Sequence, residues 1–161
     1  MELTCNRARE LFCYDPNTGA LTWRVSLNAR GPVGSLAGTA KLNGRRRVMV
    51  DGKRYQVHRV AWLIQNGSWP VAQLDHENLD PGDNRLVNLR EATHSQNQAN
   101  KRARRPIPKG VSLEMRTGRW RSRIKIGGKE VALGHFDTAE AAHQAYCVAA
   151  KQYFGVFARA A

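Results

Sequence analysis

The sequence predicts a mixed α+β protein that is built from small antiparallel sheets and short helices. An Asp51-Gly52 pair separates two strand-like runs, which is typical of a β-hairpin with a two-residue turn. Residues 119–126 place a basic side chain at every odd position, as a strand does when its two faces differ. Residues 142–153 carry alanines and tyrosines at helical spacing. Helices and strands are therefore both expected in this chain of 161 residues.

The N-terminal part is predicted to be β-rich and to lead into a strand–turn–strand–helix pattern. The expected elements are a helix over 3–12, a strand at 21–24, a loop over 28–44, hairpin strands at 46–50 and 53–57, a helix over 58–65, and short strands at 74–76 and 86–89. Thr93-His94-Ser95-Gln96 is a capping-box pattern, so a helix is expected to begin there.

A basic segment punctuated by prolines separates this part from the rest of the chain. We predict a first domain over 1–100, a linker over 101–108 and a second domain over 109–157. In the second domain, Gly127-Gly128 turns the strand at 119–126 back on itself. Asp137-Thr138 then caps the long helix, which is expected to end at Gly155.

The charge of the chain predicts a polyanionic partner. Its 26 basic and 13 acidic residues give a net charge of +13, and hydrophobic residues at 42% exclude wholesale disorder. Most of the excess lies in residues 98–161, where nucleic acid is the expected partner. No long apolar run or basic amphipathic helix indicates a membrane partner. The N-terminus lacks an apolar signal segment, which predicts a cytoplasmic location.

Four polar residues form a candidate site for phosphodiester hydrolysis. His76 is suited to take a proton from water near neutral pH, and the side chain of Asn88 is a candidate to orient its ring. Asp75 and Asn97 offer the oxygen ligands that Mg²⁺ prefers, and a cation stabilises the leaving oxygen. Asp-His pairs also occur by chance in loops. His58 is interpreted as a helix-start or packing residue, and Asn84 as a residue that braces the turn.

Residues 55–100 resemble the HNH endonucleases, particularly the phage and intron homing type. The matching text is Tyr55 to Trp62, Leu74-Asp75-His76, Asp83-Asn84-Arg85, Asn88-Leu89-Arg90 and Gln96 to Asn100. The resemblance implies a β-β-α metal fold, with His76 as general base, Asn88 as its orienting partner, and Asp75 and Asn97 as ligands of Mg²⁺ or Mn²⁺. Asn97 stands where many HNH proteins have a histidine.

Residues 109–157 resemble the AP2 DNA-binding domain. The matching text includes Gly118-Arg119-Trp120, Leu133-Gly134-His135-Phe136, Thr138 to Ala142 and Phe154-Gly155. The resemblance implies a three-stranded antiparallel sheet that is backed by one helix and enters the major groove of DNA. The candidate DNA-binding residues are Arg116, Arg119, Arg121, Arg123 and Lys125. Ala132 occupies the place where plant members often carry a base-contacting tryptophan, so their target sequence does not transfer.

Together these observations predict a metal-dependent HNH homing endonuclease whose C-terminal AP2-like domain reads double-stranded DNA. It would act as a monomer or weak dimer, and one site per chain would cut one strand. The alternative is an AP2-type regulator that binds DNA without cutting it and carries a degenerate nuclease fold. A basic RNA-binding protein is a third possibility, weakened by the absence of a paired aromatic motif for stacking RNA bases.

Overall fold

A computed structural model describes residues 2–26, 31–101 and 107–159. The chain divides into two compact units, residues 1–91 and residues 92–161. The predicted linker at 101–108 lies largely outside the described residues, which do not include 102–106. Within the described ranges, no helix is both long enough and apolar enough to cross a bilayer.

The first unit consists of two helices and several short strands. They are α1 (Cys5–Leu11), β1 (Phe12–Tyr14), β2 (Leu21–Trp23), β3 (Thr39–Ala40), β4 (Arg46–Val50), β5 (Lys53–Gln56), α2 (Val57–Asn66), β6 (Gln73–His76) and β7 (Leu89–Ala92). Strand β1 pairs with β2, β4 lies between β3 and β5, and β6 pairs with β7. Strand β7 reaches the division between the units, and Ala92 is the first residue of the second.

The hairpin of β4 and β5 confirms the prediction made from Asp51-Gly52. Both turn residues have positive φ, at 47° and 76°, which is the backbone conformation that a two-residue hairpin turn requires. Val48 and Val50 of β4 point into the core, while Met49 between them is exposed. The pairing register of the hairpin therefore places one apolar face inside the unit.

Helix α2 covers this core and ends where the sequence predicts. Gly67 adopts the left-handed conformation at its C-terminus, and its N–H donates to the carbonyl oxygen of Leu63. Most of the buried apolar residues of the unit form one cluster: Leu3, Ala8, Leu11, Phe12, Leu21, Trp23, Ala37, Val48, Val50, Val57, Val60 and Leu63. The first unit therefore has a hydrophobic core of its own.

The predicted strand over 86–89 is wrong in its first three residues. Leu86–Asn88 form a single 3₁₀ turn, and β7 begins only at Leu89. The side chain of Asn88 forms hydrogen bonds with the backbone of the preceding loop. The backbone N–H of Asn88 donates to the carbonyl oxygen of Arg85. These bonds close the chain into a turn where the apolar pattern alone favours extended backbone.

The second unit contains a three-stranded sheet backed by a helix, as predicted. Its elements are α3 (His94–Asn100), β8 (Val111–Glu114), β9 (Arg119–Ile126), β10 (Lys129–Phe136) and α4 (Ala139–Phe154). Strand β9 lies between β10 and β8, antiparallel to both. Helix α3 begins with the predicted capping box, and Ala99 from it joins Ile124, Tyr146, Ala149, Ala150 and Phe154 in the core.

Candidate active site and DNA interface

Asp75 and His76 are buried at the end of β6. Their exposed fractions are 3% and 4%, values that are unusual for ionisable side chains without partners. Leu74 precedes them and is also buried, so the last three residues of the strand are enclosed. This local arrangement removes an acid and a base from bulk water at adjacent positions.

The imidazole of His76 is held by an asparagine and by a second histidine. Its Nε2 lies 3.3 Å from Oδ1 of Asn84, and the His58 ring meets it edge-on at 5.1 Å between centroids. With the Asn84 oxygen accepting, Nε2 carries the proton and Nδ1 carries the basic lone pair. Burial lowers the pKa of His76, although the Asn84 hydrogen bond raises it in part. The imidazole is therefore neutral near neutral pH.

His58 is a packing residue, in agreement with its interpretation from sequence. It lies in the first turn of α2 and is 3% exposed. Burial, together with smaller contributions from His76, Arg45 and Arg59, lowers its pKa to about 3. The ring is thus neutral at physiological pH and forms one wall around His76.

The carboxylate of Asp75 contacts a guanidinium from the neighbouring strand. Arg90 lies on β7, and its Nε is 3.1 Å from Oδ2 of Asp75, while its Nη1 is 3.7 Å from Glu77. The Arg90 side chain is itself only 17% exposed. A charge-assisted contact of this kind fixes the direction of the carboxylate.

Asn88 holds the loop between β6 and β7 closed. Its Oδ1 accepts from the N–H of Asn78 at 2.9 Å, and its Nδ2 donates to the carbonyl oxygen of Asp83 at 2.8 Å. The sequence prediction made Asn88 the orienting partner of His76, whereas the structure shows Asn84 in contact with the ring. Asn84, which was interpreted as a turn brace, therefore also reaches the candidate base.

The end of β1 and the turn that follows it contact the backbone of Asn84. The hydroxyl of Tyr14 donates to the Asn84 carbonyl oxygen at 2.8 Å. Gly19 has φ of +74°, and a Cβ there would lie 2.6 Å from the backbone nitrogen of Arg85. Only glycine permits this close approach, so the turn fixes the backbone that presents Asn84. No local sequence signal links residues so far apart in the chain.

The predicted metal ligands are hard oxygen donors in chemical character. Asp75 supplies a buried carboxylate, and Asn97 supplies an amide oxygen from α3, where it is half-buried in the second unit. Among the described residues, no three His, Cys, Asp or Glu side chains group as a metal-binding cluster. A carboxylate and an amide oxygen are each of a ligand type that Mg²⁺ accepts.

Strand β9 separates its side chains as the alternating pattern predicts. Arg119, Arg121, Arg123 and Lys125 lie on the solvent side of the sheet, while Ser122 and Ile124 are 0% and 3% exposed. We call the solvent side the open face; it comprises these four basic residues of β9 together with two acidic residues that lie opposite them, Glu130 of β10 and Glu114 of β8. Arg116 lies in the exposed turn between β8 and β9. The sheet therefore places four of the predicted DNA-binding residues in one row. The fifth, Arg116, lies beside the row in the turn.

Two acidic residues bind arginines of this row and interrupt its positive charge. Glu130 binds Arg121 and Arg123, each at 3.2 Å. Asp137 binds Nε of Arg119 at 3.2 Å. The register of β10 with β9 pairs Glu130 with Lys125, so its carboxylate stands within the basic row. A net-charge argument misses this arrangement, because it counts the charges without placing them.

Helix α4 packs against the other face of the sheet. Thr138 caps its N-terminus by accepting from the N–H of Ala141, as predicted. Gly110 has φ of +77°, and a Cβ there would lie 2.0 Å from Cδ2 of Tyr146. The backbone before β8 thus runs directly over the Tyr146 ring, which a larger residue would prevent.

Comparison with known families agrees with both parts of this geometry. Residues 55–99 match the family model for HNH endonuclease, and residues 106–155 match the model for the AP2 domain. The chain carries an HNH segment followed by an AP2 domain. Each of the two segments is less than a third of the chain.

Curated relatives match about a third of this chain. An APETALA2-like protein 2 from Oryza sativa subsp. japonica is 49% identical over 55 residues, which are 34% of this chain and 13% of the relative. The AP2-like ethylene-responsive transcription factor TOE2 of Arabidopsis thaliana is 52% identical over 48 residues, 30% of this chain and 10% of the relative. The chain thus spans only a small part of the curated relatives it matches. No solved structure was found to match it significantly.

Proposed function

We propose that this protein is a metal-dependent DNA endonuclease that cuts with the HNH segment and reads double-stranded DNA with the open face of the AP2 domain. The observation that carries the proposal is the buried Asp75-His76 pair, whose imidazole contacts Asn84 inside the HNH segment. A buried neutral histidine beside a buried carboxylate is the pairing that hydrolysis of a phosphodiester uses.

In the proposed reaction, Nδ1 of His76 takes a proton from water as the water oxygen attacks phosphorus. The bond from phosphorus to the 3′ oxygen breaks, which leaves 5′-phosphate and 3′-hydroxyl ends after the departing oxygen gains a proton. Asn84 keeps the ring in one tautomer, and Asn88 keeps the loop that carries Asn84 in shape. The sequence predicts Asp75 and Asn97 as ligands of Mg²⁺ or Mn²⁺; such a cation would stabilise negative charge on the leaving oxygen.

A plasmid-nicking assay with Mg²⁺, with and without a chelator, tests the proposal. We expect the wild-type chain to convert supercoiled DNA to the nicked form, since one site per chain cuts one strand. His76→Ala is expected to lower the nicking rate by about 10²–10⁴ and to leave DNA binding intact. The matched control is His94→Ala, because His94 is exposed and has no proposed role. Wild-type nicking by His76→Ala would refute the assignment of the base.

The ligand assignment is tested by the Mg²⁺ concentration that gives half-maximal nicking. Asp75→Asn removes the negative charge of one predicted ligand and Asn97→Ala removes the amide oxygen of the other, so both are expected to raise that concentration or abolish nicking. Asp75→Asn keeps the shape of the side chain beside Arg90. Neither residue is a ligand if both variants keep the wild-type activity and its dependence on Mg²⁺.

A regulator that binds DNA without cutting it is the second candidate. The observation that favours it is the match of the AP2 domain to a relative named as a transcription factor. The same assay separates the two functions. A chain that binds duplex DNA and shows no metal-dependent nicking would support the regulator and contradict the endonuclease.

A further inference from the structure

Glu130 stands within the basic row that is proposed to meet DNA. Its side chain is 46% exposed, and those of Arg121 and Arg123 are 40% and 44% exposed. The carboxylate reaches both guanidiniums, through Oε1 to Nη2 of Arg121 and through both oxygens to Nη1 of Arg123. A single acidic residue therefore engages the two central cations of the open face.

Stability does not account for this arrangement. Ion pairs between exposed side chains contribute little to folding, because solvent screens them and the long side chains lose conformational freedom. The carboxylate of Glu130 instead affects which groups of DNA the open face attracts. A carboxylate repels the phosphate groups of DNA, and it lowers the positive charge where a phosphate would otherwise bind.

The same contacts leave the arginines able to read bases. A guanidinium has five N–H donors in a rigid fork, so an ion pair through one nitrogen leaves others to face a guanine edge. The pair also restrains both side chains before DNA arrives, which lowers the entropy lost on binding. The carboxylate itself can accept from the amino group of cytosine, which is a pairing seen in the major groove.

We propose that Glu130 is a specificity-determining residue that confines Arg121 and Arg123 to base contacts. This inference rests on the proposed DNA-binding role of the open face. It assigns a base-reading role to the central part of the row.

The test compares binding of the full chain and its Glu130→Gln variant to random-sequence duplex DNA, in chelator, over about 50–200 mM salt. Each arginine that gains a phosphate steepens the slope of log affinity against log salt by about 0.9. Two gained contacts give a slope steeper by about 1.8, or about a 12-fold greater loss of affinity across that range. Sequencing of duplexes selected from a random pool by each protein is expected to show weaker base preference for the variant.

Two further variants make the result specific. Glu140→Gln removes an equal charge from an exposed position on α4, and its slope is expected to match wild type. Glu130→Asp keeps the charge and is expected to keep the wild-type slope.

The inference is overturned if Glu130→Gln binds with the wild-type salt slope and base preference. It is also overturned if Glu140→Gln changes the salt slope and the base preference as much as Glu130→Gln does. If the wild-type chain binds no duplex DNA, the proposed DNA-binding role is refuted as well. If the wild-type chain binds and the Glu130→Gln variant behaves like it, only this inference is refuted.

Discussion

Acid is expected to destabilise the first unit through the buried His58. Burial lowers the pKa of His58 to about 3 in the folded protein. In the unfolded chain the group titrates near its ordinary value of about 6.5. Between these two values the unfolded state binds a proton that the folded state does not. The free energy of unfolding is therefore expected to fall as the pH drops from about 6.5 towards about 3, while above about 6.5 the contribution of His58 is fully present.

The size of the effect follows from the difference between the two pKa values. A pH of about 5 lies about 1.5 units below the pKa of the histidine in the unfolded chain. Protonation of the unfolded chain at that pH lowers the free energy of unfolding by about 2 kcal/mol. Below about pH 3 the full difference of about 3.5 units would remove about 5 kcal/mol. Typical domains have 5–15 kcal/mol of stability in all, so this one group can contribute a large part of acid unfolding.

Urea unfolding of the wild-type chain and of His58→Gln, at about pH 8 and about pH 5, measures the effect. Between the two pH values the wild type is expected to lose about 2 kcal/mol more than the variant, because glutamine does not titrate. His76, whose pKa is also lowered, is present in both proteins and its contribution largely cancels. Equal losses in the two proteins would refute a neutral, buried His58.

Two further substitutions test contacts that position the two functional parts. Gly110→Ala is expected to destabilise the second unit by about 2–4 kcal/mol, because its Cβ would overlap the Tyr146 ring, and faster amide exchange in α4 would report this; unchanged exchange would contradict the close approach. Tyr14→Phe removes a hydrogen bond to the Asn84 carbonyl and is expected to cost about 0.5–1.5 kcal/mol in urea unfolding and to slow nicking. Tyr153→Phe is its control, since Tyr153 is exposed, and equal effects of the two would argue against the contact.

Features with local chemistry were predictable from the sequence. The hairpin at Asp51-Gly52 depends on two residues that tolerate positive φ, and the capping box depends on Thr93 and Gln96 three positions apart. The alternation along β9 is equally local, because neighbouring side chains of a strand point to opposite faces. In each case the residues that decide the structure lie within one turn or one strand.

The contacts around the candidate base depend on distant parts of the chain. Asn84 and Asn88 are the same residue type four positions apart, and only the path of the loop decides which one reaches His76. Arg90 meets Asp75 because β6 pairs with β7, a register that no motif in the sequence states. The sequence could therefore indicate the chemistry of the site without assigning each partner.

The alternation along β9 also bears on how this protein can change its target. Folding depends on Ser122 and Ile124, whereas Arg121 and Arg123 on the other face make no contribution to the buried core. Substitutions at the outward positions can accumulate without repacking the interior; under the proposed DNA-binding role of the open face, new DNA sequences become accessible at small cost in stability. The inward positions can vary by a separate route: within the described residues, the Ser122 hydroxyl is the buried side-chain atom without a hydrogen-bond partner, and alanine there would relieve it. A single strand thus carries two interleaved sets of positions that natural selection can alter almost independently.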